Sequence, residues 1–283
     1  MATVVFCHAH PDDEVITTGG TMARLSAEGH RVVLVTATGG ELGEVPEGGL
    51  PDGSSLAELR AGELARSCAE LGVTQQVNLG YKDSGMAGEP TNEAPGCFWQ
   101  ADVHEAALRL SQILRAESAD AVTTYDEHGN YGHPDHIQMH RVALAAAELA
   151  GTERVFMGTM NRDRARATFE QNAASHDVIS EDRASILETI GVEEARITTA
   201  VDVSDYVEVK RRAIKAHASQ TSDTSFFLSM PEEMFAQSFG TEWYVRVGAS
   251  PGGAWETSLL DEGKRLDERK RLDERKSLFG RER

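Results

Sequence analysis

The segment Arg31–Thr38, R-V-V-L-V-T-A-T, is the clearest buried strand in this chain, a short β-branched run with Gly39 and Gly40 behind it. A strand of this kind needs cover, and the neighbouring segments supply it. Val4–His8, Val77–Leu79, Ala121–Tyr125 and Arg154–Met160 read as further strands. Between them lie stretches of helical character. Gly20–Glu28 stops at Gly29. Ser55 and Glu58 form a capping-box pair before a helix that carries Leu64, Cys68 and Leu71 and stops at Gly72. Asp102 and Glu105 open another, with Val103, Ala107, Leu110 and Leu114 as its apolar stripe, and Ile137–Ala150 is Ala-rich and helical. This alternation predicts an α/β fold: a Rossmann-like, mostly parallel sheet with helices on both faces. In the doubly wound order 3-2-1-4-5, the first and fourth strands are neighbours and the order reverses between them, which is where such sheets hold ligands.

Two clusters fall at those two strand ends. After the first strand comes H-A-H-P-D-D-E, residues 8–14, and after the fourth comes His133-Pro134-Asp135-His136. A catalytic zinc site takes three ligands from His, Asp and Glu and leaves a position for water or substrate. His10 and Asp13, three apart on a turn, can aim at one point, and His136 would be the third ligand from the neighbouring strand. Two histidines and a carboxylate suit Zn²⁺, with Fe²⁺ or Co²⁺ admitted by the same donors. Asp12, beside a ligand, is the expected general base for water. His133 is expected to stabilise the oxyanion or protonate the departing amine, with Asp135 orienting and charging it, and Tyr131 adds a phenol donor. Each residue type matches a step of metal-assisted amide hydrolysis.

These motifs resemble the PIG-L/LmbE-like zinc-dependent deacetylase superfamily. T-A-T-G-G-E-L-G-E (36–44), L-G-Y-K-D-S-G-M (79–86) and T-Y-D-E-H-G-N-Y-G-H-P-D-H (124–136) further resemble its mycothiol branch, which holds an N-acetylglucosaminyl-inositol deacetylase and a thiol S-conjugate amidase. The resemblance is close over about residues 3–150 and implies the same roles: His10, Asp13 and His136 on zinc, Asp12 as base, His133 as acid or electrostatic partner, Tyr131 at the oxyanion. It also implies that Arg60 and Asp83 hold sugar and inositol hydroxyls, so the expected partner is a small-molecule glycoconjugate substrate. Val15-Ile16-Thr17-Thr18 departs from the Ser and Lys usual in the amidases and leaves the choice between deacetylase and amidase open. His217, in K-A-H-A-S-Q, resembles a late element of the family, with a pocket-wall and a surface-helix role both open.

Two rivals are weaker. A metal phosphoesterase would want carboxylates for a second ion, and only Asp12 and Asp135 are spare. A non-catalytic metal- or sugar-binding protein would not need Asp12, His133 and Tyr131 together. His8 is expected in the core or behind the ligands, His140 off the metal, and Gly39, Gly40 and Gly43 lack the spacing of a dinucleotide fingerprint.

Composition narrows the setting. Against 28 Lys+Arg stand 46 Asp+Glu, a net charge of −18, which argues against nucleic acid or anionic lipid as partner. Cys7, Cys68 and Cys97 form no C-x-x-C, the amino terminus lacks a secretion signal, and no apolar run approaches the roughly 18 residues of a membrane span. A cytoplasmic protein is expected, and nothing bars a homo-oligomer. Past Asn161 the pattern thins: 161–195 is polar and helical, Ile197–Val203 and Trp243–Val247 read as strands, and Tyr206–His217 as a helix. One deacetylase domain is expected over 1–260. Residues 261–283, where K-R-L-D-E-R repeats at 264–269 and 270–275, are expected to be a solvated charged tail.

Overall fold

The computed structural model describes residues 1–46, 48–50, 53–173, 189–220 and 227–260. The repeat-bearing tail and the middle of the 161–195 stretch lie outside the described residues. Seven strands form one sheet in the order β3-β2-β1-β4-β5-β7-β6. β1 (Thr3–His8), β2 (Arg31–Thr38), β3 (Gln75–Tyr81), β4 (Ala121–Tyr125) and β5 (Arg154–Thr159) are parallel, as the strand–helix alternation predicts. β7 (Thr241–Arg246) runs antiparallel between β5 and β6 (Thr199–Asp202), so the last strand among the described residues is an interior one.

The strand pleat sorts the core into two layers. Val4, Phe6, Val32 and Leu34 face one side, with Met22 and Leu25 of α2 (Gly19–Ala27), which follows the short α1 (Asp13–Thr17), and with Leu64 and Leu71 of α3 (Leu56–Leu71). Val5, Cys7, Val33 and Val35 face the other, against Leu110 of α4 (Val103–Ala116) and, beyond the one-turn α5 (Gly129–Gly132), Met139 and Val142 of α6 (Pro134–Ala150). Of the later helices, α7 (Arg162–Ala173) precedes β6, while α8 (Val207–Ala216) and α9 (Glu232–Phe239) add Ile214 and Phe235 to the first layer. All three cysteines are free and buried, and no helix among the described residues is long and apolar enough to cross a membrane. The long segment 80–100, read from sequence as structureless, holds two 3-10 turns, Pro90–Glu93 and Phe98–Gln100. It is tied to its own start by Lys82 N donating to Gly96 O and Phe98 N to Lys82 O.

The interior strand does more than fill space. Thr18 offers α2 no side-chain cap; instead Glu242 of β7 accepts from Gly20 N at 2.8 Å and Thr21 N at 2.7 Å. A carboxylate here satisfies two of the helix's unpaired donors and complements its dipole. The same carboxylate takes an ion pair from the buried Lys210 of α8 at 2.7 Å, and Lys210 also donates to Ile16 O. The end of α1, directly behind the first motif, is thereby bolted to the C-terminal third of the chain. Glu242→Ala would leave the Lys210 ammonium buried without its counter-charge, so it should cost about 3–5 kcal/mol of stability in urea unfolding. Replacing the pair together as Lys210→Met and Glu242→Gln should cost less than the sum of the single changes.

Candidate metal-dependent active site

β1 and β4 are paired neighbours, Val5 beside Val122, so the turns that leave their carboxyl ends meet. The first turn is Ala9–Asp12, in which Asp12 takes a left-handed φ of 102° before α1 begins at Asp13. Such a φ is unfavourable for a side-chain-bearing residue and needs support from outside. The second turn ends at His133, which caps α6 by accepting Asp135 N on its Nδ1 at 3.1 Å. That bond fixes the tautomer: neutral His133 carries its proton on Nε2. Gly129, at φ +64°, lies so close that a Cβ there would stand 2.7 Å from the His136 Cβ, and its carbonyl accepts from His136 Nδ1 at 3.2 Å.

With Nδ1 bonded to the Gly129 carbonyl, His136 Nε2 is turned into the site. It is buried there, and Asp13 Oδ1 stands 3.2 Å away. The other oxygen of Asp13 is 3.3 Å from His10 Nδ1, while His10 Nε2 is hydrogen-bonded to Asp135 Oδ2 at 3.2 Å. Burial works against charge on His10, but Asp13, Asp135 and Asp83 outweigh it and raise its pKa well above the ordinary value. Ring nitrogens of His10, His133 and His136 lie within 4.8 Å of one another. His10, His133 and His136 could together hold a metal ion, and Asp13 stands between His10 Nδ1 and His136 Nε2, adding a carboxylate of the kind that suits a divalent metal. A second group, His10 with Asp83 and Asp135, shares the same histidine.

Asp12 stands apart from that set. Its carboxylate accepts from Arg60 Nη2 at 2.8 Å, and its backbone N–H donates to Glu14 Oε2 at 2.8 Å. Burial pushes its pKa up to about 7; the Arg60 guanidinium opposes that rise and Asp13 adds to it. Arg60, expected at substrate hydroxyls, also donates to Pro11 O and to Gly40 O and so restrains the Asp12 turn. Asp83 accepts from Gly85 N and Leu42 N and faces His10 Nε2 at 3.5 Å.

Asp135 was expected to orient and charge His133; its carboxylate is fully buried, accepts from Ser84 N, Ser84 Oγ and His10 Nε2, and favours charge on His133 through space, while its hydrogen bond to His133 runs from its backbone N–H. Its oxygens are already committed, which makes it the carboxylate that orients His10. His133, buried and flanked by His10 and His136, has its pKa lowered to about 4 and is a neutral donor. Tyr131 is 51% exposed, with its ring 5.0 Å from His136 and 6.3 Å from His133 at near-perpendicular angles, at the mouth of the site. His8 bonds Thr18 and His140 bonds Tyr125 O, both away from the donor set.

Two residues without an expected role prove central. Tyr125, read only as the end of a strand, donates to Asp13 Oδ2 at 2.7 Å, accepts from Ala9 N, and stacks on His136 at 4.1 Å between ring centroids. Its place in T-Y-D-E-H, one residue ahead of a turn of polar side chains, was the available signal. Glu14, the last residue of the first motif, is fully buried and accepts from Asp12 N, Ser67 Oγ and His217 Nε2.

Comparison with known proteins agrees with this geometry. Residues 5–147, a little over half of the chain, match the family model described as PIG-L, GlcNAc-PI de-N-acetylase. A 1D-myo-inositol 2-acetamido-2-deoxy-alpha-D-glucopyranoside deacetylase of Thermomonospora curvata is 41% identical over 274 residues, covering 89% of this chain and 92% of the relative. Among solved structures, the N,N'-diacetylchitobiose deacetylase of Pyrococcus horikoshii matches 87% of this chain and 83% of its own, with a TM-score of 0.53 and 24% identity. The 4-carboxy-2-hydroxymuconate hydratase GalB of Pseudomonas putida KT2440 matches 90% of this chain and 99% of its own, with a TM-score of 0.58 and 17% identity. A hydratase on the same scaffold shows that the fold alone does not select the reaction, and the residues at the sheet edge must. The match over residues 5–147 and the 41% identity over 89% of the chain show that the chain belongs to the PIG-L family of de-N-acetylases.

Proposed function

We propose that this protein is a metal-dependent deacetylase that removes the acetyl group from a 2-acetamido-2-deoxyglucoside of inositol, the small glycoconjugate for which its relatives are named. The observation that carries the reading is the division of labour between adjacent aspartates. Asp13 is shared by two histidines, whereas Asp12 is held off them by Arg60 and Glu14. Zn²⁺ is the proposed metal on His10, Asp13 and His136, with Fe²⁺ or Co²⁺ as substitutes. When bound it would polarise the acetamide carbonyl and acidify water.

The protein's own residues then account for the protons. Asp12 takes one from the attacking water and returns it to the departing amine, so amide and water become acetic acid and free amine. Neutral His133, its Nε2–H left free of the capping bond, donates to the oxygen that gains negative charge. Tyr131, on its turn at the mouth, offers a phenol to the same oxygen. Tyr125 and Asp135 hold Asp13 and His10 in their orientations. The three buried free thiols fit a reducing cytoplasm, where we locate the enzyme.

Asp12→Ala should retain the metal and lower turnover by about 10²–10⁴-fold. His136→Ala should lose the metal itself. Free-amine release and metal analysis on the same preparations separate the two, and an Asp12→Ala protein with full turnover would overturn the mechanism. Tyr125→Phe, which removes one hydroxyl and keeps the ring on His136, should weaken metal binding by about 10–100-fold in chelator competition while the fold is retained.

A further inference from the structure

Glu14 and His217 stand 203 positions apart in sequence and meet at 2.7 Å with neither exposed to solvent. A buried ion pair is costly to maintain and rarely improves stability over apolar packing. Its geometry points to a different use. One Glu14 oxygen receives His217 Nε2 and Ser67 Oγ, the latter at 2.6 Å; the other receives the backbone N–H of Asp12 at 2.8 Å. Asp12 is the residue with the left-handed backbone, and its carboxylate bonds only as its φ allows. His217 is fixed in turn, because it ends α8 and the next turn is tied to α3, where Glu63 accepts from Ser219 N at 2.8 Å and Ser219 Oγ at 2.6 Å.

We infer that His217 is a positioning residue for catalysis: through Glu14 it holds the strained Asp12 turn so that the Asp12 carboxylate is aimed at water and not at the metal. The chain of contacts is His217 to Glu14 to the Asp12 peptide, and none of its members binds the metal. Arg60 restrains the same turn from the carboxylate side, so Asp12 is gripped at the backbone by one pair and at the side chain by another. This gives a task to the K-A-H-A-S-Q element, whose role the sequence alone left between pocket wall and surface helix. It rests on the reading of Asp12 as the base.

His217→Asn and His217→Gln test it, because both are polar but only the Gln amide reaches as far as Nε2. On zinc-loaded enzyme assayed by free-amine release, His217→Asn should lower kcat by up to about 100-fold, the penalty of misplacing a catalytic group. KM and bound metal per chain should be unchanged, and His217→Gln should recover most of the wild-type kcat. Equal kcat for the two variants, or metal lost in step with activity, would overturn the inference. Should His217→Asn unfold at the assay temperature, Ser67→Ala removes the other donor to the same Glu14 oxygen and is expected to lower kcat alone; a wild-type kcat there counts against the inference. Asp12→Ala in the same assay separates the two levels. If it is inactive while the His217 variants match, only the positioning role fails, whereas an active Asp12→Ala removes the underlying reading.

Discussion

The buried His136 Nε2 faces a carboxylate oxygen of Asp13 at 3.2 Å, and much of the molecule is arranged to hold the two groups there. Neither group can turn away. Gly129 O holds the far side of the imidazole, Tyr125 stacks on its face, and the Tyr125 hydroxyl grips the other oxygen of Asp13. A low-dielectric interior strengthens these interactions, and the carboxylates around His10 raise its proton affinity against the effect of burial.

The same electrostatic economy separates the two aspartates. Asp13 lies among imidazoles, which hold its pKa well below the carboxylate range against the effect of burial. Asp12, one peptide further back, is buried against a single guanidinium. Two identical side chains in sequence thus differ in the charge they face, one stabilised as an anion and the other able to exchange a proton. Proton affinities of neighbouring groups are pushed apart in this way, so one turn carries two carboxylates of different character.

The parts legible in the sequence are those written in local patterns. Runs such as Arg31–Thr38 and the caps at Ser55 and Asp102 mark strands and helix starts, and counting strands brings H-P-D-D-E beside H-P-D-H at one sheet edge. What was not legible depends on partners distant in the chain. Nothing near Glu14 names His217, nothing near α2 indicates that its cap arrives from Glu242, and the loyalty of Asp135 to Ser84 instead of His133 is settled by how segment 80–100 folds back. α1 escaped for a different reason: five residues are too few to show a helical period. Tyr125 was hidden because a strand's final aromatic residue looks like core whether or not its hydroxyl has work to do.

The interior position of β7 has a consequence for how the chain matures. His10, Asp12, Asp13 and His136 all lie within the first 136 residues, and a ribosome would release them long before β7 exists. Until residue 246 has emerged, β5 has no partner on its outer side, α2 has no cap, and Glu14 meets His217 only once α8 has docked. Nascent chains of intermediate length would thus display a cluster of histidines and carboxylates around an unsettled Asp12 turn. The contacts that cap α2 and hold the Asp12 turn are completed only after the two motifs have already been made.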